Sequence, residues 1–311
     1  MATFQQWVEG ARLRTLPLAV APVLLGTGAA LGVLGGLSAL VIGSVLDAPN
    51  PDVSLSFLLL KAALALIVSL ALQIGSNYAN DYSDGVRGTD DVRVGPLRLT
   101  ASGAAPPEAV KRAAFISFGV AVAAGAILVI ISQAWWLIPV GAAAIWAAWF
   151  YTGGSKPYGY RAMGELFVFI FFGLVATLGT TYALVSTISA AAIAGAVAIG
   201  LFACAVLMVN NLRDIPTDRQ ADKLTLAVLL GEKRARLAYT LLVFVPFALL
   251  LVPILTGHPA AVLAALSLVL TISPLQVVLS GSEGTALIPP IKHTGLAALA
   301  YAALLALGLA L

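Results

Sequence analysis

The chain has 311 residues, 60% hydrophobic and 10% charged, with a mean hydropathy of +1.00. Soluble domains carry about 25% charge, so a water-soluble globule is excluded and a single polytopic membrane domain over 1–311 is expected. A net charge of +3 and a pI near 9.1 do not point to nucleic acid, because the basic residues fall between apolar segments and not on one aromatic-interleaved face. The lone Cys204 lies in an apolar run, which leaves neither a disulfide framework nor a thiolate metal cluster.

A spanning helix needs about 20 mostly apolar residues, and nine stretches approximate that length: 15–36, 56–77, 109–131, 134–151, 164–185, 189–210, 235–255, 259–280 and 292–311. The sequence alone leaves eight or ten open. Arg12 and Arg14 precede the first stretch, but Pro17 and Pro22 follow and no small-residue cleavage site closes it, so it is read as a retained helix and not a signal peptide. Within it Gly28, Gly32 and Gly36 form a small-residue series suited to helix packing. Trp135, Trp136, Trp146 and Trp149 read as interfacial or lipid-facing aromatics, and Phe167, Phe169, Phe171 and Phe172 as packing. His258 and His293 lack ligand spacing.

With nine helices, every Lys and Arg except Lys61 falls at the N-terminus or in an even-numbered connection. The positive-inside rule then places the N-terminus and these connections in the cytoplasm and the C-terminus outside, in a multi-pass protein of the plasma membrane. All the acids except Asp47 and Asp52 share the cytoplasmic face, concentrated in 78–108 and 211–234. Each of these connections follows the second helix of a four-helix group, so the chain reads as a diverged duplication, helices one to four and five to eight, with a ninth added.

The first polar cluster contains Asn77, Asn80, Asp81 and Asp84, which share one 100° face if the helix persists to Asp84. The second contains Asn211, Asp214, Asp218 and Asp222, within about 80° on a helix, although Pro216 predicts a kink or a fresh helix start. Such acids often only solvate loops or pair with arginines. Here the asparagines begin inside apolar spans, where polar groups are costly and usually functional, and the pattern occurs twice. All-oxygen ligation of this kind suits a hard divalent cation such as Mg2+. Arg14, Arg98, Lys156 and Lys223 stand near the clusters, and together with a metal they fit a diphosphate site. A secondary transporter would also show internal repeats, but there the polar residues gather at mid-membrane, not at one face.

These residues resemble the intramembrane aromatic prenyltransferases. The resemblance is carried by Arg12 to Pro17, by Asn77 to Gly103 including Asn80-Asp81-Tyr82 and Gly95 to Arg98, by Tyr151 to Gly154 with Gly164-Glu165, and by Asn210 to Asp214 continuing to Leu229. It covers residues 11 to about 235. The resemblance implies nine helices around a central cavity open sideways to the bilayer, with no obligatory protein partner. It further implies transfer of a polyprenyl group from polyprenyl diphosphate to an aromatic acceptor, in the closest branch 1,4-dihydroxy-2-naphthoate, with loss of CO2. In this reading Asn80, Asp81, Asp84, Asp214 and Asp218 hold Mg2+, with Asp84, Asp218, Lys156 and Tyr151 catalytic. Asn77, Arg14, Arg98, Asn211 and Lys223 bind diphosphate. A third acid of the family pattern is replaced by Gly88, with Asp90 or Asp91 shifted from it. Tyr82 and Tyr158 are candidate bases.

Overall fold

The computed structural model describes residues 2–37, 54–89 and 97–311. Asp47, Asp52, Asp90, Asp91, Gly95 and Pro96 lie outside the described residues. In chain order the helices are α1 (Phe4–Gly10), α2 (Pro17–Val33), α3 (Leu55–Arg87), α4 (Pro107–Ser132), α5 (Leu137–Phe150), α6 (Gly164–Val185), α7 (Ala190–Gln220), α8 (Leu226–Leu255), α9 (Pro259–Leu279) and α10 (Gly284–Ala310).

Helices α2 to α10 coincide with the nine expected apolar stretches, yet among the described residues only seven are long and apolar enough to cross a membrane. An eighth span is the broken pair Phe4–Thr15 and Pro17–Val33, bent by 50°. The break sits where Arg12 takes a left-handed φ of 56° and Pro17 opens a new helix at a position that needs no N–H donor. The 14 residues of α5 cover about 21 Å, short of a hydrocarbon core of about 30 Å. By length alone the described residues give seven or eight spans, with α5 as the remaining apolar stretch, the short one.

The core forms around α7. Its apolar window is 78% buried, against 28% for α3 and α8. Small residues allow this: Ala192, Gly195, Ala196, Ala198 and Gly200 let neighbouring backbones approach closely. Where α6 crosses α7, a Cβ on Gly173 would stand 2.5 Å from the Gly200 Cα. At this crossing α6 widens into a π turn over Phe169–Val175, a form that often accompanies functional sites. At the other side α2 packs along α10, where a Cβ on Gly28 would meet the Ala306 Cα at 2.3 Å and Gly32 and Gly36 face the Leu309 and Ala310 carbonyls. The glycine series is a packing seam, as its spacing suggests. Trp135, Trp136 and Trp146 are about half exposed.

Two consecutive helix pairs pack most extensively, at the positions that the expected duplication matches to each other. The pair α3–α4 in the first half corresponds to α7–α8 in the second. Both α3 and α7 exceed what a bilayer requires: at 33 and 31 residues they run about 50 and 46 Å. Their last turns reach beyond the apolar layer and carry the two acid clusters. The fresh helix start expected as one outcome at Pro216 does not occur, since α7 continues through it to Gln220. The bond lost is the one to the Leu212 carbonyl, and next to the proline Thr217 Oγ1 donates to the Asp214 carbonyl at 3.0 Å. Asp222, however, lies past the helix end with φ 50° and leaves the face that Asn211, Asp214 and Asp218 share. An apolar groove of about 380 Å³ opens between α2, α3 and α10, lined by Leu24, Thr27, Leu31, Ala63, Leu66 and Leu307.

Candidate active site

On the last turns of α3 four polar side chains lie on one face, and each is held by a different part of the chain. Asn77 donates to the Ala11 carbonyl at 2.9 Å and accepts from Gln73 at 3.3 Å, fastening α3 to the arm before α2. Asn80 accepts from Thr152 Oγ1 at 2.9 Å. Asp81, 1% exposed, accepts one backbone N–H on each oxygen, from Leu99 at 2.8 Å and Thr100 at 2.9 Å, which fixes the loop carrying Arg98. Asp84, also buried, accepts from the Tyr160 hydroxyl at 2.8 Å.

Residues 151–163 act as a strap between the two halves. At one end Arg87 donates to the carbonyls of Thr152 and Gly154. At the other, Ala162 N–H donates to the Leu224 carbonyl at 2.7 Å and Leu224 N–H to the Tyr160 carbonyl at 3.1 Å, a short parallel bridge to the segment after α7. Tyr160 is thereby set between the acid clusters. Its hydroxyl reaches Asp84, Thr89 Oγ1 stands 3.1 Å from that hydroxyl, and Lys223 Nζ lies 5.3 Å from its ring centroid. Lys223 in turn pairs with Asp218 at 3.5 Å, so Asp84, Tyr160, Lys223 and Asp218 form one continuous polar chain.

A second feature is a cleft lined by Arg12, Arg14, Arg98, Arg213 and Asn210. Four guanidinium groups meet there, with Asp214 balancing Arg213 through bonds of 2.7 Å to each carboxylate oxygen. A surplus of fixed positive charge with planar donors is what binds a multiply charged phosphate. The strap also carries an aromatic cluster: Tyr151 packs edge-on to Tyr158 at 5.5 Å, and Tyr158 stacks on Phe167 at 4.1 Å. Burial raises the phenol pKa values of Tyr151, Tyr158 and Tyr160, and for Tyr151 the carboxylate of Glu165 adds to the rise. All three stay neutral near pH 7.

Against this geometry, the model of the UbiA prenyltransferase family matches residues 37–286. The chain belongs to the UbiA prenyltransferase family. It is 49% identical to the 1,4-dihydroxy-2-naphthoate octaprenyltransferase of Mycobacterium tuberculosis, over 97% of this chain and 96% of that one. It is 40% identical to the Escherichia coli protein of the same name, over 75% of this chain and 70% of that one. The fold is similar to that of a UbiA homologue from Archaeoglobus fulgidus bound to GPP and Mg2+, with a TM-score of 0.61 at 16% identity, covering 96% and 99% of the two chains.

Of the residues the sequence singled out in this UbiA chain, Asp84, Asp218, Lys223 and Tyr151 come together, and Arg14 and Arg98 share the arginine cleft. Four others are placed differently. Lys156 is exposed on the strap, outside the polar chain. Asn211 turns from the cleft and donates to Glu165 Oε1 at 3.1 Å, whereas its neighbour Asn210 lines the cleft. Tyr158 spends its hydroxyl on the Ala147 carbonyl at 2.7 Å, and Tyr82 stacks on Trp149 at 6.1 Å, so neither is a base at the site. Tyr160, Arg87 and Arg12 were missed. Among the described residues no three His, Cys, Asp or Glu side chains converge as a metal cage. The oxygen donors of Asp84, Asp218 and Asn80 nonetheless fit magnesium, which takes one or two carboxylates and completes its shell with water and phosphate oxygens.

Proposed function

We propose that this UbiA chain transfers a polyprenyl group from polyprenyl diphosphate to 1,4-dihydroxy-2-naphthoate, releasing diphosphate and CO2 and giving the quinol, demethylmenaquinol, the reduced form of demethylmenaquinone. The observation that carries this reading is the 49% identity to a naphthoate octaprenyltransferase across 97% of the chain, joined to a site whose charges suit a diphosphate. The arginine cleft and Lys223 take the diphosphate. Asp84 and Asp218, with Asn80, Asp81 and Asp214 beside them, hold magnesium, which when bound screens the charge that develops on the leaving group.

The chain's own groups do the rest. Arg14 and Arg98 present fixed donors to the diphosphate, held in place before reaction because Asn77 and Asp81 tie their segments to α3. Positive charge left on the allylic carbon faces the rings of Tyr151, Tyr158 and Phe167. Apolar walls below the strap keep water from that carbon. The groove between α2, α3 and α10 gives a long isoprenoid a way to lie partly in lipid. The acid end and the N-terminus are cytoplasmic and the C-terminus external, in keeping with the charge distribution. A C-terminal reporter fusion scoring cytoplasmic would overturn that orientation.

The functional test is mass spectrometry of products from purified protein given polyprenyl diphosphate with 1,4-dihydroxy-2-naphthoate, 4-hydroxybenzoate and homogentisate in competition. The naphthoate product, lighter by CO2, is expected. Preferential prenylation of 4-hydroxybenzoate would refute the acceptor and leave the family assignment standing.

A further inference from the structure

Glu165 opens α6 and is 7% exposed, yet the scheme above gives it no role. Its Oε1 accepts from Asn211 Nδ2 at 3.1 Å. Its Oε2 is buried and accepts no hydrogen bond from any described residue. A buried carboxylate oxygen left without a donor is unfavourable and calls for an explanation. Asn211 lies on the same α7 face as Asp214 and Asp218, about 4.5 and 10.5 Å further along the axis toward the membrane interior. Glu165 thus lies nearer the membrane interior than Asp214 and Asp218, beside Tyr151, whose electrostatic neighbours include Glu165, Asp84 and Asp218. Its neighbour Gly164 borders the same ring that faces the acids: a Cβ there would stand 3.4 Å from the Tyr151 hydroxyl oxygen.

The missing partner has a defined chemistry. An ionised carboxylate only accepts hydrogen bonds, so the ligand must bring a donor. An isoprenoid diphosphate has none, whereas a hydroxylated aromatic acceptor has at least one. We infer that Glu165 Oε2 is the binding point for a ring hydroxyl of the aromatic acceptor, with Asn211 holding the carboxylate in place. This rests on the proposed prenyl transfer.

Two consequences follow for the reaction. The negative charge of Glu165 repels the acceptor's own carboxylate, which is turned toward the arginine cleft. A hydroxyl hydrogen-bonded to a carboxylate also feeds electron density into the ring, strengthening its attack. The allylic C–O bond breaks with its electron pair going to diphosphate. A ring π pair forms the new C–C bond, and the pair of the ring–carboxylate bond returns to the ring as CO2 leaves. The hydroxyl proton remains on the acceptor throughout, so Glu165 binds and polarises without consuming a proton.

The test separates the two substrates. With the wild type first shown to turn over 1,4-dihydroxy-2-naphthoate, E165Q is expected to raise the KM for that acceptor about tenfold or more, since the amide presents an N–H to the hydroxyl's proton. The KM for prenyl diphosphate should stay within about twofold. Neither KM depends on the fraction of protein that folds. An unchanged acceptor KM, or a rise in the diphosphate KM alone, would overturn the inference. If E165Q is too slow for kinetics, thermal stabilisation by 1,4-dihydroxy-2-naphthoate replaces the KM: its loss in both E165Q and E165D supports the inference, and its retention overturns it. A wild type inactive on the naphthoate would instead refute the proposed function itself.

Discussion

Tyr160→Phe removes one oxygen atom from the centre of the site. The ring remains, so the contacts with Lys223 and Arg87 persist, 5.3 and 5.6 Å from the centroid. What disappears is the 2.8 Å bond to Asp84 and the 3.1 Å contact with Thr89 Oγ1. Asp84 is 3% exposed, so water does not replace that donor. A hydrogen bond to a charged group contributes about 1.5–3 kcal/mol, equivalent to roughly a 10- to 150-fold change in an equilibrium constant. Loss of an outer partner of a metal-binding carboxylate costs about 10–100-fold in metal affinity or activity, the same range from an independent direction. Initial rates measured across a MgCl2 titration at fixed substrate concentrations should therefore show half-saturation shifted upward by about 10–100-fold. The rate at saturating magnesium should recover to within about threefold, because Asp84 itself is still present. An unchanged half-saturation point would refute the claim that Tyr160 positions Asp84 for a metal.

Asp84→Asn and Asp218→Asn should each nearly abolish turnover and chelation by EDTA should mimic them, while the double variant loses much less than the product of the single losses, as expected of groups acting as one unit. Lys223→Ala should lower kcat/KM more than Lys156→Ala, since Lys223 pairs with Asp218 and Lys156 is exposed; the reverse order in steady-state kinetics would redraw the cation set. Gly28→Val places a branched side chain where a single Cβ already meets Ala306 at 2.3 Å, and overpacking of this kind costs about 1–3 kcal/mol, read as a lowered thermal midpoint in detergent. The phenol pKa values of Tyr151, Tyr158 and Tyr160 are raised, so their contribution to stability is complete below pH 10 and is lost as pH climbs from there through the folded values. Spectrophotometric titration should find that these three form tyrosinates only above the ordinary phenol range, with the thermal midpoint falling only above about pH 10.

Much of the site could be read from the chain because its signals are local. Asn77, Asn80, Asp81 and Asp84 interrupt an apolar run with helical spacing, and the same interruption recurs at Asn211, Asp214 and Asp218. The roles of Tyr160 and Arg87 could not be read this way. Tyr160 sits in a loop without periodicity, and its place depends on backbone pairing with Leu224, more than sixty residues on. Arg87 looked like one more topology charge, although it grips the carbonyls of Thr152 and Gly154. Adjacent helix residues point about 100° apart, so nothing in Asn210-Asn211 itself says which side faces the arginines. Pro216 misled because a proline near the end of a long packed helix loses only one bond that its neighbours can offset. Apolar composition does not fix helix length, as the 14 residues of α5 show.

The strap over 151–163 also sets the order in which the enzyme can come alive during synthesis. Asp84 has its partner only once Tyr160 has been made, and Tyr160 is anchored only once Leu224 has followed it. A nascent chain that has inserted its first half already carries the aspartate-rich end of α3, but that end lacks Asp218, Lys223 and the strap. Nothing short of the segment beyond α7 can complete it, so a ribosome-bound or truncated chain is kept from binding and ionising a reactive diphosphate in a pocket still open to water.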